Sequence, residues 1–258
     1  MEIKDFIITE ENAKNYVKEI ALWIKHAVQK ANCEGVVLGM SGGVDCSTVA
    51  RLCQEAKVNV HLVLMPYGND MENTKSLIDA KELIGKFEFN YHIFNIKPAV
   101  DNLKISEDLH PNSDTNNVTL SSANIRPRIR MTYLYQYAQC NNFLVIGTGN
   151  LSERTVGYFT KWGDGACDIN PIGMLTKREV YVLAKYLQVP DSIINKKPSA
   201  GLWEGQTDEE ELGITYEQID EFILNGTSGD EQIDSLIKRK NKLAEHKLQA
   251  IPIFNLKS

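Results

Sequence analysis

Short apolar runs that alternate with amphipathic segments restrict the fold of this chain more than any other feature. The run at 36–40 is apolar at consecutive positions, as expected of a strand covered on both faces, and three further largely apolar runs at 58–66, 89–96 and 142–149 are also predicted to be strands. Apolar residues on one helical stripe predict helices at 13–28, 70–85 and 119–141, and further helices are predicted at 44–55 and near 176–188, 215–225 and 229–248. This alternation predicts an α/β fold, a Rossmann-like doubly wound parallel sheet of about five strands with helices on both faces.

Two polar stretches interrupt the alternation. Residues 106–117 and 198–211 have no periodicity and contain several turn formers, so both are predicted to be irregular. No internal repeat or clear linker divides the chain. Its 258 residues, 43% of them apolar, suit a single domain spanning 1–258.

The composition argues against several classes of function. A net charge of −6 is atypical of a dedicated nucleic-acid binder, because affinity for a phosphate backbone depends on clustered Lys and Arg. No run approaches the roughly 18 to 20 apolar residues of a membrane span, and the first residues do not resemble a secretory signal. The five cysteines contain no CxxC spacing, which favours neither disulfides nor a zinc site. A reducing, cytoplasmic location is therefore expected, without nucleic-acid or membrane partners.

The segment GMSGGVDCS follows the first apolar run, where an open parallel sheet binds its ligands. The adjacent Gly42 and Gly43 allow the backbone to approach an anion, and the next helix directs N–H groups and its positive dipole end toward it. Ser41 and Ser47 add hydroxyl donors, whereas Asp45 would repel a phosphate unless Mg²⁺ lies between them. The Walker A and GxGxxG patterns are missing. A tight turn with a serine or aspartate N-cap is the alternative, but the combination favours pyrophosphate binding.

This segment resembles the SGGxDS signature of the ATP pyrophosphatases, which split ATP into AMP and pyrophosphate, with Cys46 where Ser is usual. From Val36 onward the chain resembles the ammonia-dependent NAD synthetases, through the ordered motifs NIRPRIRM, VIGTGNLSERTVGYFTKWGDGACDINPIGMLTKREV, KKPSAGLW, DEEELGITYEQID and EHK. The resemblance implies an adenine nucleotide alpha-hydrolase-like fold. It also implies a ligase that uses ATP, Mg²⁺ and ammonia to convert deamido-NAD⁺ into NAD⁺, AMP and pyrophosphate through an adenylated carboxylate.

The resemblance implies an ATP site with three candidate catalytic residues. Asp45 and Glu153 would hold Mg²⁺ over the phosphates, and Lys177 would serve a phosphate, since a lysine that opens a helix is electrostatically unfavourable. A helix N-terminal acid is the alternative for Glu153. A turn hydroxyl and an N-cap are the alternatives for Thr148 and Ser199. The implied ATP contacts are Gly39, Ser41, Gly42, Gly43, Asp45, Cys46, Ser47, Thr148, Lys177 and Ser199.

A second set of residues is implied for deamido-NAD⁺. Arg128 offers a guanidinium fork for phosphate or carboxylate, although Pro127 stands where relatives commonly have Ala. Lys161 and Asp168 flank a glycine-rich segment, for which an ordinary turn is the alternative interpretation. Asp168 is also a candidate catalytic acceptor of the ammonium proton. The motif EHK would in isolation indicate a solvated basic face. The implied contacts are Arg128, Lys161, Asp168, His246 and Lys247.

The resemblance further favours a homodimer that uses free ammonia, with no glutaminase domain. The helix at 119–141 carries surplus apolar surface that packs either inside the domain or between subunits, at Ile125, Ile129, Tyr133 and Tyr137. A tRNA-thiolating or GMP-forming pyrophosphatase is a rival, but tRNA work calls for cysteine pairs and a basic surface. A sensor that binds ATP without turnover is a second rival, which the combination of Asp45, Glu153 and Lys177 disfavours.

Overall fold

The computed structural model describes residues 7–68, 74–103, 115–198 and 207–254. Within these residues four parallel strands form one sheet in the order β3-β2-β1-β4. The strands are β1 Gly35–Gly39, β2 Asn59–Leu64, β3 Asn90–Ile93 and β4 Phe143–Val145. The predicted parallel sheet is confirmed, with four strands in the described part against about five expected.

Helices surround this sheet. They are α1 Ala13–Lys30, α2 Val44–Glu55, α3 Lys75–Phe87, α4 Lys97–Asn102, α5 Thr115–Asn141, α6 Leu151–Val156, α7 Lys177–Tyr186, α8 Asp191–Ile194, α9 Asp208–Leu212, α10 Tyr216–Asn225 and α11 Glu231–Leu248. The seven predicted helices are confirmed, although the one predicted at 70–85 begins at Lys75 and residues 70–73 lie outside the described part. Pro127 lies inside the uninterrupted α5. None of the described helices combines the length and apolar character needed to cross a bilayer.

The prediction of irregular structure is wrong at the C-terminal end of each polar stretch. α5 begins at Thr115, so residues 115–117 are helical, and α9 makes residues 208–211 helical. Thr207 accounts for the second case, because its hydroxyl caps α9 by accepting the N–H of Glu210. Residues 106–114 and 199–206 lie outside the described part, so the irregular conformation predicted there stays a prediction.

β4 is shorter than the predicted strand at 142–149, and another segment pairs with the chain at and beyond its end. Val145 N–H donates to Asp168 Oδ2 (2.7 Å), and Asp168 N–H donates back to Val145 O (2.9 Å). Gly147 N–H then donates to Ile169 O (2.8 Å). One isolated parallel bridge joins residues 146 and 169. The segment around residue 168 therefore satisfies this part of the sheet without forming a regular strand.

Both faces of the sheet are covered, as consecutive apolar residues in the strands predict. Val36 and Leu38 of β1 join a core shared with α1, α2, α3 and α7, whereas Val37 joins the core on the α5 face. The apolar residues of α5 singled out in the sequence pack inside the domain against this second core, namely Ile125, Ile129, Tyr133 and Tyr137. A smaller core, built around Ile219 and Ile237, joins α6, α9, α10 and α11.

Gly42 determines how the chain passes from β1 into α2. Its φ of +75° lies in the left-handed region that favours glycine. A Cβ on Gly42 would overlap the backbone carbonyl of Ser76 at the start of α3. Gly43 is extended, and a Cβ there would lie 3.4 Å from Ser41 Oγ, an ordinary contact. The fold therefore requires the first glycine of the pair but not the second.

Replacing Gly42 by Ala should reduce stability more than a left-handed backbone alone explains. We expect Gly42→Ala to lower the free energy of unfolding by about 2–5 kcal/mol, from the left-handed conformation plus overlap with the Ser76 carbonyl. Gly226 is the matched control, since its φ is +79° and open space surrounds the position of its Cβ. Gly226→Ala should lose only about 1–2 kcal/mol in urea denaturation. Equal losses would contradict the role of the Ser76 contact.

Candidate active site

The loop after β1 and the start of α2 form the first wall of the site. Gly43 is the N-cap of α2 and provides no side-chain acceptor for the first N–H groups of the helix. Its own N–H donates to Ser41 Oγ (3.3 Å). Ser47, fully buried on α2, has a hydroxyl oxygen without a hydrogen-bond partner in the described part of the chain. Uncapped amides, a buried hydroxyl and the positive end of a helix dipole together suit an anion.

Cys46, which replaces the usual serine of related loops, is directed into the protein. Its Sγ lies 3.2 Å from both Gly43 O and Ser41 Oγ, and 3.5 Å from Met40 Sδ. The residue is buried. Its side chain therefore supports the loop from within, and a contact between Cys46 and a nucleotide would use the backbone N–H.

Three charged side chains from three helices meet beyond the carboxyl ends of β1 and β4. The Nζ atom of Lys177 lies 2.6 Å from Asp45 Oδ2 and 3.5 Å from Glu153 Oε1. The exposed fraction is 3% for the side chain of Lys177, 16% for Asp45 and 18% for Glu153. The ammonium is enclosed, whereas both carboxylates keep some access to solvent. The three candidate catalytic residues are thus brought together.

Asn150, which the sequence analysis did not single out, orients both carboxylates. Its Nδ2 donates to Asp45 Oδ1 (2.9 Å), and its Oδ1 accepts the N–H of Glu153 (2.9 Å). The N–H of Asn150 donates to Glu153 Oε2 (3.2 Å), which completes a capping box at the start of α6. Glu153 thus answers the helix dipole and also presents Oε1 to Lys177. The N-x-x-E spacing in GNLSE is the local signal that predicts this cap.

The electrostatics of the cluster disfavour the simultaneous ionisation of two neighbouring carboxyl groups. Burial, followed by the charge of Asp45, raises the pKa of Glu153 to about 8, although Lys177 acts in the opposite direction. Burial alone would lower the pKa of Lys177, but Asp45 and then Glu153 raise it above its ordinary value. The lysine is therefore charged, and an additional cation would relieve the repulsion between the two acids.

Asp45 and Glu153 fit Mg²⁺ as a pair of hard oxygen ligands. A cation, the ammonium of Lys177, already lies between them. Among the residues that the structure describes, no group of three or more His, Cys, Asp or Glu is arranged to hold a metal alone. Mg²⁺ is usually bound by one or two carboxylates together with substrate phosphates. The donor set therefore suits Mg²⁺ that binds with a nucleotide.

Tyr216 and Asp208 extend the cluster and were also missed. Tyr216 Oη lies 2.9 Å from Asp208 Oδ2 and 3.4 Å from Glu153 Oε1. Lys177 Nζ lies 4.8 Å from the centre of the Tyr216 ring, within cation–π range. Burial, followed by Glu153 and Asp208, raises the pKa of Tyr216, so the phenol is neutral and donates its hydrogen. Both residues lie in DEEELGITYEQID, a motif quoted only as part of the family resemblance.

The other residues predicted to contact ATP lie at the same edge of the sheet, with one exception. Gly39 ends β1, and Thr148 lies partly buried between β4 and α6. Because β1 and β4 are hydrogen-bonded neighbours, these two positions flank the start of α2. Ser199 lies outside the described residues, so its predicted role stays a prediction.

Several residues predicted for deamido-NAD⁺ are joined by hydrogen bonds from their side chains to backbone carbonyls. Arg128 Nε donates to Lys161 O (3.4 Å), and Lys161 Nζ donates to His246 O. Lys247 Nζ donates to two carbonyls of the loop after α6, at 2.8 and 2.9 Å. The interpretation of EHK as a solvated basic face is therefore wrong for Lys247, which fastens the C-terminal end of α11 to this loop.

Asp168 is used differently from the rest of this set. Its Oδ2 accepts the Val145 N–H, and its Oδ1 accepts the hydroxyl of Tyr135 (3.2 Å). These bonds fasten the edge of β4 to α5. Among the described contacts none joins Asp168 to Lys177, so its predicted role as the proton acceptor has no support from this geometry.

Trp162 is an exposed aromatic residue beside the same lysines. It has a φ of +64°, its side chain is half exposed, and Lys161 Nζ lies 5.3 Å from its ring centre. A bulky residue rarely adopts this backbone conformation, and such residues concentrate at functional sites. Thr160 O accepts the N–H groups of Gly163 (2.9 Å) and Gly165 (3.2 Å), which holds the turn around it. The glycine-rich turn therefore presents a flat ring to solvent.

Comparison with known proteins gives matches over nearly the whole chain. The family model of NAD synthase matches residues 16–257. A relative from Carboxydothermus hydrogenoformans named NH(3)-dependent NAD(+) synthetase is 41% identical over 92% of this chain and 95% of its own length. A structure of NMN synthetase from Francisella tularensis has a TM-score of 0.86 and 36% identity, covering 95% of this chain and 99% of that one. NH3-dependent NAD synthetase from Campylobacter jejuni has a TM-score of 0.75 and 34% identity, with coverage of 94% and 99%.

The contacts of Asn150 give the site its first test. Asn150→Ala should slow pyrophosphate release from ATP by about 10- to 100-fold, because Asp45 and Glu153 lose the group that fixes their orientation. Loss of the cap should also lower the free energy of unfolding by about 1 kcal/mol.

Asp230→Ala provides the control for the Asn150 variant. Asp230 Oδ1 caps α11 by accepting the N–H of Gln232 (2.8 Å). Its loss should lower stability by about 1 kcal/mol and leave pyrophosphate release unchanged. If the two variants release pyrophosphate at the same rate, Asn150 acts only as a helix cap.

Proposed function

The chain belongs to the NAD synthase family, and we propose that its active site joins ammonia to the nicotinate carboxyl of deamido-NAD⁺ through an adenylated carboxylate. It is a ligase with ATP as co-substrate. The observation that carries the proposal is the enclosed ammonium of Lys177, held by Asp45 and Glu153 beside the uncapped start of α2. The cation of Lys177 and the anion site at the start of α2 are thus adjacent, as the departure of pyrophosphate requires.

The carboxylate must first acquire a better leaving group. Its oxygen attacks the α-phosphorus of ATP, an acyl–phosphate bond forms, and the bond to pyrophosphate breaks with negative charge passing to the leaving group. The N–H groups at the start of α2 and the buried hydroxyl of Ser47 supply donors for that charge. Ammonia then attacks the acyl carbon, loses a proton and expels AMP.

The charged cluster serves this displacement by positioning and electrostatics. We assign Lys177 to a phosphate oxygen of ATP, because its ammonium is enclosed and stays charged. Asn150 fixes the orientation of Asp45 and Glu153 beside this ammonium. Mg²⁺ bound by these two carboxylates would neutralise charge on the phosphates. Tyr216 adds a neutral hydroxyl beside Glu153.

We assign deamido-NAD⁺ to the surface formed by α5, the loop after α6 and the end of α11. Arg128 and Lys161 offer cations to its phosphates or carboxylate, and His246 and Lys247 extend this surface. The half-exposed ring of Trp162 suits stacking against a planar base. Asp168 is retained at the edge of this surface as a contact, beside Tyr135.

The reaction itself provides the decisive assay. With ATP, Mg²⁺, deamido-NAD⁺ and ammonium present, the chain should release pyrophosphate and form NAD⁺ in equal amounts, and omission of any substrate should stop both. Glutamine serves as the comparison nitrogen donor. Lys177→Met should lower kcat by about 10²–10³-fold, as loss of a preorganised donor does, and Asp45→Asn should raise the Mg²⁺ concentration needed for half-maximal rate.

Lys86→Met is the control for the lysine variant. Its ammonium bonds the carbonyl of Gln188 at the surface, so the rate should be unchanged. Pyrophosphate release from ATP alone would instead indicate a hydrolase, and nucleotide binding without any product would indicate a sensor.

A mononucleotide acid is the second candidate substrate. The observation that favours it is the Francisella tularensis structure of an NMN synthetase, whose TM-score of 0.86 exceeds the 0.75 of the NAD synthetase from Campylobacter jejuni. The same assay with the acid precursor of NMN decides between them through kcat/KM. A larger kcat/KM for the mononucleotide would replace deamido-NAD⁺ as the preferred substrate.

We also propose a homodimer that uses the start of α5. Leu120 there is 51% exposed although it is a large apolar residue, and Phe94 and Leu103 are exposed as well. Leu120→Glu should shift sedimentation at micromolar concentration from dimer to monomer. Leu22→Glu on α1, where Leu22 is 53% exposed, should not. Monomeric wild-type protein would refute the dimer.

A cytoplasmic location is part of the proposal. The five cysteines form no disulfide and Cys53 is buried, as expected of a protein in a reducing compartment. The substrates ATP and deamido-NAD⁺ are intracellular small molecules. Activity recovered outside the cytoplasmic fraction after cell lysis would contradict this location.

A further inference from the structure

The start of α7 carries unfavourable positive charge, which a residue of another helix compensates. α7 begins with Lys177 and Arg178, so two cations lie at the positive end of its dipole. Part of the compensation is local, because Glu179 Oε2 accepts both the N–H and the hydroxyl of Thr176 at 2.8 Å. That capping box leaves the N–H groups of Lys177 and Arg178 to be satisfied from elsewhere.

A buried carboxylate of α10 satisfies both groups, one of them through a serine. Asp220 Oδ2 accepts the N–H of Arg178 (2.8 Å), and Asp220 Oδ1 accepts the hydroxyl of Ser152. The Oγ of Ser152 in turn accepts the N–H of Lys177 (2.8 Å). Asp220 and Ser152 are both fully buried. Since Ser152 directly precedes Glu153 on α6, one carboxylate connects the backbones that carry two members of the charged cluster.

We propose that Asp220 is a positioning residue for the ligase reaction, and that it fixes Lys177 relative to Glu153 through Ser152. Its carboxylate accepts one backbone N–H and one hydroxyl, so it acts on the site without touching the reacting atoms. Its negative charge also offsets the dipole where α7 presents the lysine. The catalytic consequence rests on the proposed function, whereas the fixing of α7 does not.

A merely structural capping role is the alternative, and the chain contains a matched control for it. Asp234 on α11 is likewise a buried carboxylate, and its Oδ1 accepts the N–H (2.7 Å) and the hydroxyl (2.6 Å) of Ser228. Both aspartates thus bond one serine hydroxyl and one backbone N–H. Only Asp220 joins two helices of the charged cluster.

The experiment compares Asp220→Asn with Asp234→Asn. Asp220→Asn should lower Tm by about 2–8 °C, because Oδ1 and Oδ2 of Asp220 each accept one hydrogen bond and an amide keeps only one acceptor oxygen. Asp234→Asn should lower Tm by less, because both of its bonds end on Oδ1, which asparagine keeps. Asp220→Asn should lower kcat about 10- to 100-fold with the KM for ATP within about twofold, as displacement of a catalytic group does. Asp234→Asn should leave kcat within about twofold of the wild type.

Hydrogen exchange gives a readout that does not depend on turnover. Asp220→Asn should accelerate exchange in a peptide that covers the first turn of α7, and Asp234→Asn should not. Absence of activity in the wild-type protein would therefore contradict the proposed function, while exchange would still decide the positioning role. Equal kcat and equal exchange in the two variants would overturn the inference, as would a loss of activity confined to KM.

Ser152→Ala tests the same connection if Asp220→Asn does not fold. It removes the acceptor of the Lys177 N–H and should reproduce the loss of kcat and the faster exchange. Where both single variants fold, the kcat of the Ser152→Ala, Asp220→Asn double variant should lie within about twofold of the lower single-variant kcat, because both changes break the same connection. Fully multiplicative losses in kcat would contradict a shared path.

Discussion

Every part of this site depends on one enclosed ammonium group. Burial alone would lower the pKa of Lys177, and Asp45, followed by Glu153, outweighs this effect and keeps the ammonium charged. Glu153 depends on the lysine in turn, since burial and repulsion by Asp45 raise its pKa to about 8 even with the ammonium nearby. The lysine and the acids therefore stabilise each other's charges although the two acids repel one another, and the fold has to deliver all three together.

All three charged side chains lie at helix N-termini, where the helix dipole favours the two acids and opposes the lysine. Asp45 and Glu153 lie in the first turns of α2 and α6, which directly follow the neighbouring strands β1 and β4. Negative charge in such a position is favourable by about 0.3–1 kcal/mol. Lys177 opens α7, where the same dipole opposes it. The acids could be supplied by the parallel sheet and its loops alone, whereas the lysine needs the additional anions Glu179 and Asp220.

The sequence reveals those parts of this arrangement that depend on near neighbours. β1 and most of β2 are apolar and buried on both faces, so these strands and a parallel sheet were predictable, and the glycine loop carries a compact motif. The roles of Asn150 and Asp220 were not predictable, because they depend on contacts across 105 positions to Asp45 and across 68 to Ser152. Residues 147–149 were predicted as strand although they lie outside β4, because the end of the apolar run does not show where regular pairing with the neighbouring strand stops.

The two halves of the site are prepared differently for their substrates. Toward the nucleotide, the amides at the start of α2 have no side-chain cap and the Ser47 hydroxyl has no partner in the described part, so a phosphate can bind them without displacing a protein acceptor. At the surface proposed for the acid substrate, the ammonium groups of Lys161 and Lys247 already donate to backbone carbonyls. A phosphate bound there would have to replace or share those bonds, which would reduce the net gain from each contact. Because the same bonds fasten α11 to the loop after α6, binding at this surface would be coupled to the packing of α11.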